Sequence, residues 1–272
     1  NRPLSARLKK NPQPGIIKNP NMKLVWKHAI KNCRRAVKDA LPDPNRIFPV
    51  RLVNRFIPPT KGLVLIHIGK CGGSSLREAI NQLGNEVPVK TVHIKKPIYK
   101  PKCRYIIIAR GPISRALSAF NWRYKLVVED KVQKDRYSGE YEILKKYGSL
   151  NRLAENLYDP DGRPNRAVHK EIRKIHHIRE DIAFYLKDFL KFCPPAQISA
   201  VLMQENLDSD MQSVLGIGKV ERKKDNRGQG RCRELSETAE RNLKRFFFDD
   251  YQALLRLYCY GKIDKDILIK AI

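Results

Sequence analysis

Seven consecutive residues, Gly69-Lys70-Cys71-Gly72-Gly73-Ser74-Ser75, have the types that bind an anion. They lie between an apolar run, LVLIHI (63–68), and a helix-like segment, SSLREAINQL (74–83). A strand-to-helix turn of this kind offers unpaired backbone N–H groups and the positive end of the helix dipole. Glycines let the backbone approach a ligand closely, Ser74 and Ser75 are suited to capping the helix and donating to phosphate oxygens, and Lys70 adds a mobile cation. The order of residues departs from a Walker A loop, in which Lys follows the last Gly and precedes Ser or Thr; here Lys70 comes before Gly72 and Gly73. An ordinary Gly-rich turn is the competing reading. Cys71 reads as a filler residue rather than as a reactive thiol.

A second unit repeats the pattern. RYIIIA (104–109) reads as a buried strand and PISRALSAFNWRY (112–124) as a helix with Pro at its start. Arg110 stands at the strand end and Ser118 two turns into the helix, an arrangement suited to a second phosphate. Arg115 and Arg123 either face the same region or are solvated. Two strand-loop-helix units imply a parallel sheet. A third strand, ISAVLM (198–203), leads to a helix over 208–215. The stretch from about 137 to 192 is helical in pattern, broken by DPDGRPN, and its His169, Arg173, His176, His177 and Arg179 read as a charged outer helix face, with the lining of an acceptor cleft as the competing reading. Ser236 to Glu240 opens a last helix whose apolar face continues to Tyr258. The fold class expected is α/β, a P-loop-like three-layer arrangement of a central parallel sheet flanked by helices.

The two motifs resemble those of the sulfotransferases that use 3′-phosphoadenosine 5′-phosphosulfate, especially the carbohydrate and heparan sulfate branch. HIGKCGGSSL (67–76) is similar to that family's 5′-phosphosulfate loop and ARGPISRALSAF (109–120) to its 3′-phosphate segment, with likeness over roughly residues 62–260. The resemblance implies that Lys70, Cys71, Gly72, Gly73, Ser74 and Ser75 hold the 5′-phosphosulfate, and Arg110 and Ser118 the 3′-phosphate. Gly111 departs from the family's usual Asp or Asn. The family places a base shortly before the second strand, which implies His93, in KTVHIKKP, as the residue that deprotonates an acceptor hydroxyl, with Lys70 stabilising the leaving phosphate. Glu86 and then Glu78 are the rival bases, and His67 reads as a buried histidine of the strand. A late basic loop in related enzymes implies that Arg222, Lys223 and Arg227, with Arg231, close over the nucleotide; a solvated loop is the competing reading.

Composition bounds the partners. The chain has 272 residues, 55 Lys and Arg against 28 Asp and Glu, a net charge of +27, and 42% hydrophobic residues, enough for a sizeable core. Residues 1–61 carry fifteen Lys or Arg against two acids and are Pro-rich; they read as a basic arm with a short helix from Lys23 to Ala40, and residues 62–272 as the α/β domain. The charge points to an anionic partner: an anionic or carbohydrate acceptor, with membrane-surface association through the arm. A P-loop-like nucleotide kinase or NTPase and a basic nucleic-acid-binding protein are the alternative functions, the second disfavoured because no nucleic-acid motif occurs. Apolar runs fall short of the ~18 residues of a membrane span. Six scattered cysteines without a C-x-x-C pair suggest a reduced compartment. The cytoplasm is therefore the expected location, with the Golgi lumen, behind a trimmed anchor, as the alternative. No metal site is expected, because His176 and His177, as neighbours on a helix, would not converge on one ion.

Overall fold

A computed structural model describes residues 62–82, 89–216 and 234–272. The basic arm, with its expected helix at Lys23–Ala40, lies outside the described residues, as do Glu86 and the loop carrying Arg222, Lys223, Arg227 and Arg231.

Four strands form the sheet: β1 (Leu63–His67), β2 (Val89–Val92), β3 (Arg104–Ala109) and β4 (Ile198–Met203). All neighbours pair in parallel, in the order β2-β1-β3-β4. Leu65 is opposite Ile106, and Ile107 opposite Val201. Leu65, Ile66, Ile107 and Ile108 are fully buried, which is why these strands are continuous apolar runs rather than alternating ones. β2 follows α1 (Gly73–Gln82) and was not anticipated as a strand.

After β3 come α2 (Pro112–Tyr124), α3 (Glu140–Tyr147), α4 (Leu150–Glu155), α5 (Arg166–Ile172), α6 (Ile182–Leu186) and α7 (Phe189–Phe192). After β4 come α8 (Leu207–Leu215), α9 (Glu237–Phe246), α10 (Phe248–Cys259) and α11 (Lys265–Ala271). Pro112 begins α2 as expected, since its missing N–H is one that the first turn leaves unpaired. Ser236 caps α9 by accepting from the Ala239 N–H, also as expected. The apolar face running to Tyr258 is divided between α9 and α10, with the break at Phe247.

The helix expected through His169–Leu190 is interrupted. α5 ends at Ile172, the chain turns through 173–181, and α6 begins on Asp181, whose carboxylate accepts from the Phe184 N–H. Ile172, Ile175, Ile178 and Ile182 mimic a helical stripe and all four are fully buried, yet His177 adopts φ 66°, a left-handed conformation no helix contains.

Arg115 and Arg123, which the sequence left open to solvent, are both buried. Arg123 grips the Glu140 carboxylate bidentately, Nε to Oε1 at 2.9 Å and Nη2 to Oε2 at 2.6 Å. Oε1 also accepts from the His176 N–H at 2.8 Å, so one carboxylate joins α2, α3 and the 173–181 turn. Breaking one side of such a buried pair leaves an uncompensated charge. Glu140→Gln is expected to lower the unfolding free energy by about 3–5 kcal/mol in urea titration; a loss within about 1 kcal/mol would be the size of an exposed pair and would contradict this role.

Candidate functional site

β1 connects onward to β2 on one side while β3 continues outward to β4 on the other, so the strand order reverses between β1 and β3. In parallel sheets, the crevice beyond the carboxyl ends of strands at such a point is where ligands bind. Both sequence motifs end there. The loop after β1 runs through Gly69 and Lys70 into α1, and Arg110 follows β3.

Lys70 takes φ 69° and Gly72 φ 86°. The Lys70 backbone is thereby held in a turn that a non-glycine residue adopts at some cost. Its carbonyl lies 3.5 Å from Arg110 Nη1, so the two loops meet. The Lys70 ammonium sits 4.7 Å above the Trp122 ring, a cation–π contact that brings α2 to the same place. Arg110 Nε donates to Ser114 Oγ at 3.1 Å. Ser114, rather than Ser118, is therefore the hydroxyl on Arg110; Ser118 is half-buried one turn further along the same helix face. Glu205 Oε1 accepts from the Gly111 N–H at 2.8 Å and approaches Ser114 Oγ at 3.4 Å. Gly111 thus uses its backbone to engage a carboxylate after β4.

The helix α1 begins at Gly73, so Ser74, exposed, and Ser75, half-buried, occupy its first turn instead of capping it. Their N–H groups are among those a helix leaves without an internal acceptor. Cys71 is fully buried and burial pushes its thiol up to about 12, in line with its reading as filler. Glu78 lies within α1.

His93 follows β2 directly, and its Nδ1 lies 2.9 Å from the His67 carbonyl oxygen. A carbonyl only accepts, so Nδ1 carries the hydrogen and Nε2 keeps its lone pair. The His93 ring stacks on His67 with centroids 4.2 Å apart and stands 6.1 Å from His177, which in turn is 4.2 Å from His176. Four imidazoles from three separate segments form a row beside the 69–75 loop. The contacts are close enough that a Cβ on Gly73 would come within 2.1 Å of the His67 ring, and one on Gly69 within 2.8 Å of His177 Nδ1. These two glycines are required by the histidines behind them.

His176 and His177 correct the expectation of an exposed helical pair. His176 is 4% exposed, and because the two sit on a turn their side chains converge after all. Ligand atoms of His176, His177 and Glu180 lie within 4.8 Å of one another. Glu180 is already engaged: it accepts from the His177 N–H at 2.7 Å, bonds Arg179 Nε and lies 3.1 Å from His176 Nδ1. This carboxylate closes the turn. Burial works against its ionised form, yet the bonds from His176, Arg179 and the His177 N–H together hold it at about 2.

Cys259 is disulfide-bonded. Cys71, Cys103 and Cys193 are free thiols. No helix among the described residues is long and apolar enough to cross a membrane. No protein-family model, curated protein or solved structure matches the chain.

The histidine row has a pH signature. Burial, with the neighbouring His93 and Arg77, lowers His67 from 6.5 to about 3. Burial, with His176 and Lys70, lowers His177 to about 2. Their folded values are depressed, so the stability they contribute is whole above pH 6.5 and is lost as pH falls from 6.5 toward 3 and 2. Glu180 adds a loss below 4.5. Asp250 and Asp210 have the opposite sign, since burial raises both carboxyls above 3.8; the lowered His67, His177 and His169 oppose these two carboxyls. The melting temperature should therefore fall from pH 7 to pH 4. His67→Asn should flatten that fall by up to about 1.4 kcal/mol per pH unit in unfolding free energy; an unchanged slope would show that His67 is not the neutral buried group.

Proposed function

We propose that the protein is a sulfotransferase that moves the sulfuryl group of 3′-phosphoadenosine 5′-phosphosulfate to an acceptor hydroxyl. The observation that carries this reading is the meeting of Lys70 and Arg110 at the β1/β3 crevice, beside an imidazole whose Nδ1–H is fixed on the His67 carbonyl. The donor set suits a doubly phosphorylated nucleotide: two cations, the first-turn N–H groups of α1, and a nearby carboxylate, Glu205, already engaged by Gly111 and Ser114.

When bound, 3′-phosphoadenosine 5′-phosphosulfate supplies an activated sulfuryl group. Lys70, Gly72, Gly73, Ser74 and Ser75 would hold its phosphosulfate end, and Arg110, oriented by Ser114, its 3′-phosphate with Ser118. His93 Nε2 takes the proton of the acceptor hydroxyl while Nδ1–H stays on the His67 carbonyl, so the imidazolium formed remains in register. His67 and His177, held neutral, bring no cation to compete with that proton. Lys70 and the helix N–H groups are placed for the negative charge that develops on the departing phosphate, which is the larger electrostatic contribution. A carbohydrate or other anionic acceptor accords with the +27 charge. The Cys259 disulfide supports an oxidising compartment, the Golgi lumen rather than the cytoplasm.

Calorimetry should show 3′-phosphoadenosine 5′-phosphate binding more tightly than ATP, with Lys70→Ala and Arg110→Ala each weakening it. His93→Ala should leave that binding unchanged and slow transfer by about 10²–10⁴-fold. Binding of ATP without binding of the bisphosphate would sink the reading. Separately, reduction of the Cys259 disulfide should lower the unfolding free energy by about 2–5 kcal/mol, measured by denaturation with and without a thiol reductant; equal curves would make the bond dispensable.

A further inference from the structure

We propose that the cavity bounded by Tyr158, His169, Lys170, Arg173, Lys174 and Phe246 is a second anion site, one that takes a six-membered ring bearing a sulfate, phosphate or carboxylate. Its volume, about 560 Å³, is within the range of small-molecule sites. None of its lining residues belongs to the 69–75 loop or to the Arg110 segment, and none is a carboxylate.

The wall is built before any ligand arrives. His169 stands edge-on to Tyr158 and to Phe246, 5.1 Å from each, at 86° and 78°. Its Nε2 is 3.0 Å from the Leu157 carbonyl oxygen, which fixes the ring. The Arg245 guanidinium carbon lies 4.0 Å from the centre of the Tyr158 ring, held by a bond to the Gly162 carbonyl, and Arg173 lies over Phe246 at 4.6 Å, held by Asp181. Two aromatic rings and an imidazole are thus immobilised between two guanidinium groups.

The rim is charged and unspent. Lys170 and Lys174 are exposed and form no ion pair among the described residues. The adjacent Glu171 is taken by Lys146 and Tyr147. A neutral sugar would leave these ammonium groups unanswered. A bare oxyanion would leave the aromatic wall uncovered. A ring with an oxyanion substituent satisfies both, its face on the aromatic side chains and its charge on the lysines. A second cleft of about 270 Å³ shares Arg173 and Phe246 with the cavity and extends to Lys96.

The test is titration of the full chain with glucose 6-sulfate, phenyl sulfate, glucose and inorganic sulfate, followed by calorimetry. Either ring anion should bind at least about tenfold more tightly than glucose and than inorganic sulfate, and the ratio between the two identifies the ring as sugar or aryl. The double variant Lys170→Ala/Lys174→Ala, altered only at exposed side chains, should lose about tenfold or more of that affinity while binding 3′-phosphoadenosine 5′-phosphate as the parent does. Equal binding of inorganic sulfate, no saturable binding of either ring anion, or unchanged affinity in the double variant would overturn the proposal. Lack of bisphosphate binding by the parent would count against the sulfotransferase reading and leave this one standing, because the two sites share no residue.

Discussion

The crevice depends on a guanidinium that has been taken out of water. Arg115 is fully buried, and its partners among the described residues are two backbone carbonyls, those of His177 at 2.7 Å and Glu180 at 3.3 Å. A buried charge with no acceptor is among the costliest features a fold can contain. The 173–181 turn and α2 are therefore conditional on each other: without the turn, Arg115 has no acceptor, and without Arg115 the turn's carbonyls are left unpaired. Arg123, two helical turns along α2, reaches the same turn indirectly, through the Glu140 carboxylate that accepts the His176 N–H. Two arginines on one helix hold the backbone of an otherwise irregular segment at defined points, and Glu180 fastens it internally.

That fixed turn is what brings His177 against the anion loop. The loop can accept it only because Gly69 has no side chain, just as α1 can approach His67 only because Gly73 has none. Glycine in this loop thus has two separate physical reasons. One is the usual approach of backbone to an anion; the other faces away from the ligand, toward imidazoles packed beneath. His67 and His177 stay neutral because burial outweighs the charges around them, and Lys70 adds to that pressure on His177. These two neutral rings can lie beside a cationic loop without repelling it. His93, between His67 and His177 in the row and only half-buried, differs from its neighbours in having its tautomer set by the His67 carbonyl.

Much of the scaffold could be read from residue types. β3 and β4 match their apolar runs because strands buried on both faces have no alternation to blur them. β2 escaped for the converse reason: VKTV is four residues long at a sheet edge, with Lys90 exposed, and carries too little signal. The 169–190 segment misled because its isoleucines are spaced as on a helix, while a turn delivered all of them to the core just as well. At the site, the loop residues and Arg110 were legible from chemistry in short windows. Ser114 was accessible in principle, lying four residues after Arg110 on a helix start. Glu205 and His177 were not, since their partners are 94 and 62 residues away in the chain and no local pattern records such contacts.

The net charge of +27 divides in the same way, by what each cation touches. Arg115 and Arg123 are structural: they are answered by carbonyls and by Glu140, and no solute reaches them. Lys70 and Arg110 are neither exposed enough to be mere solubility charges nor buried enough to be structural, and each is oriented by a fixed neighbour, Trp122 and Ser114. Arg173 and Arg245 spend their faces on aromatic rings and so stiffen a wall while leaving the charge of Lys170 and Lys174 to the rim. Steering at long range belongs to the whole surface and is screened within about 10 Å at 0.1 M salt, so it brings anions near without choosing among them. The geometry of Lys70 and Arg110 is instead set locally, by Trp122 and Ser114.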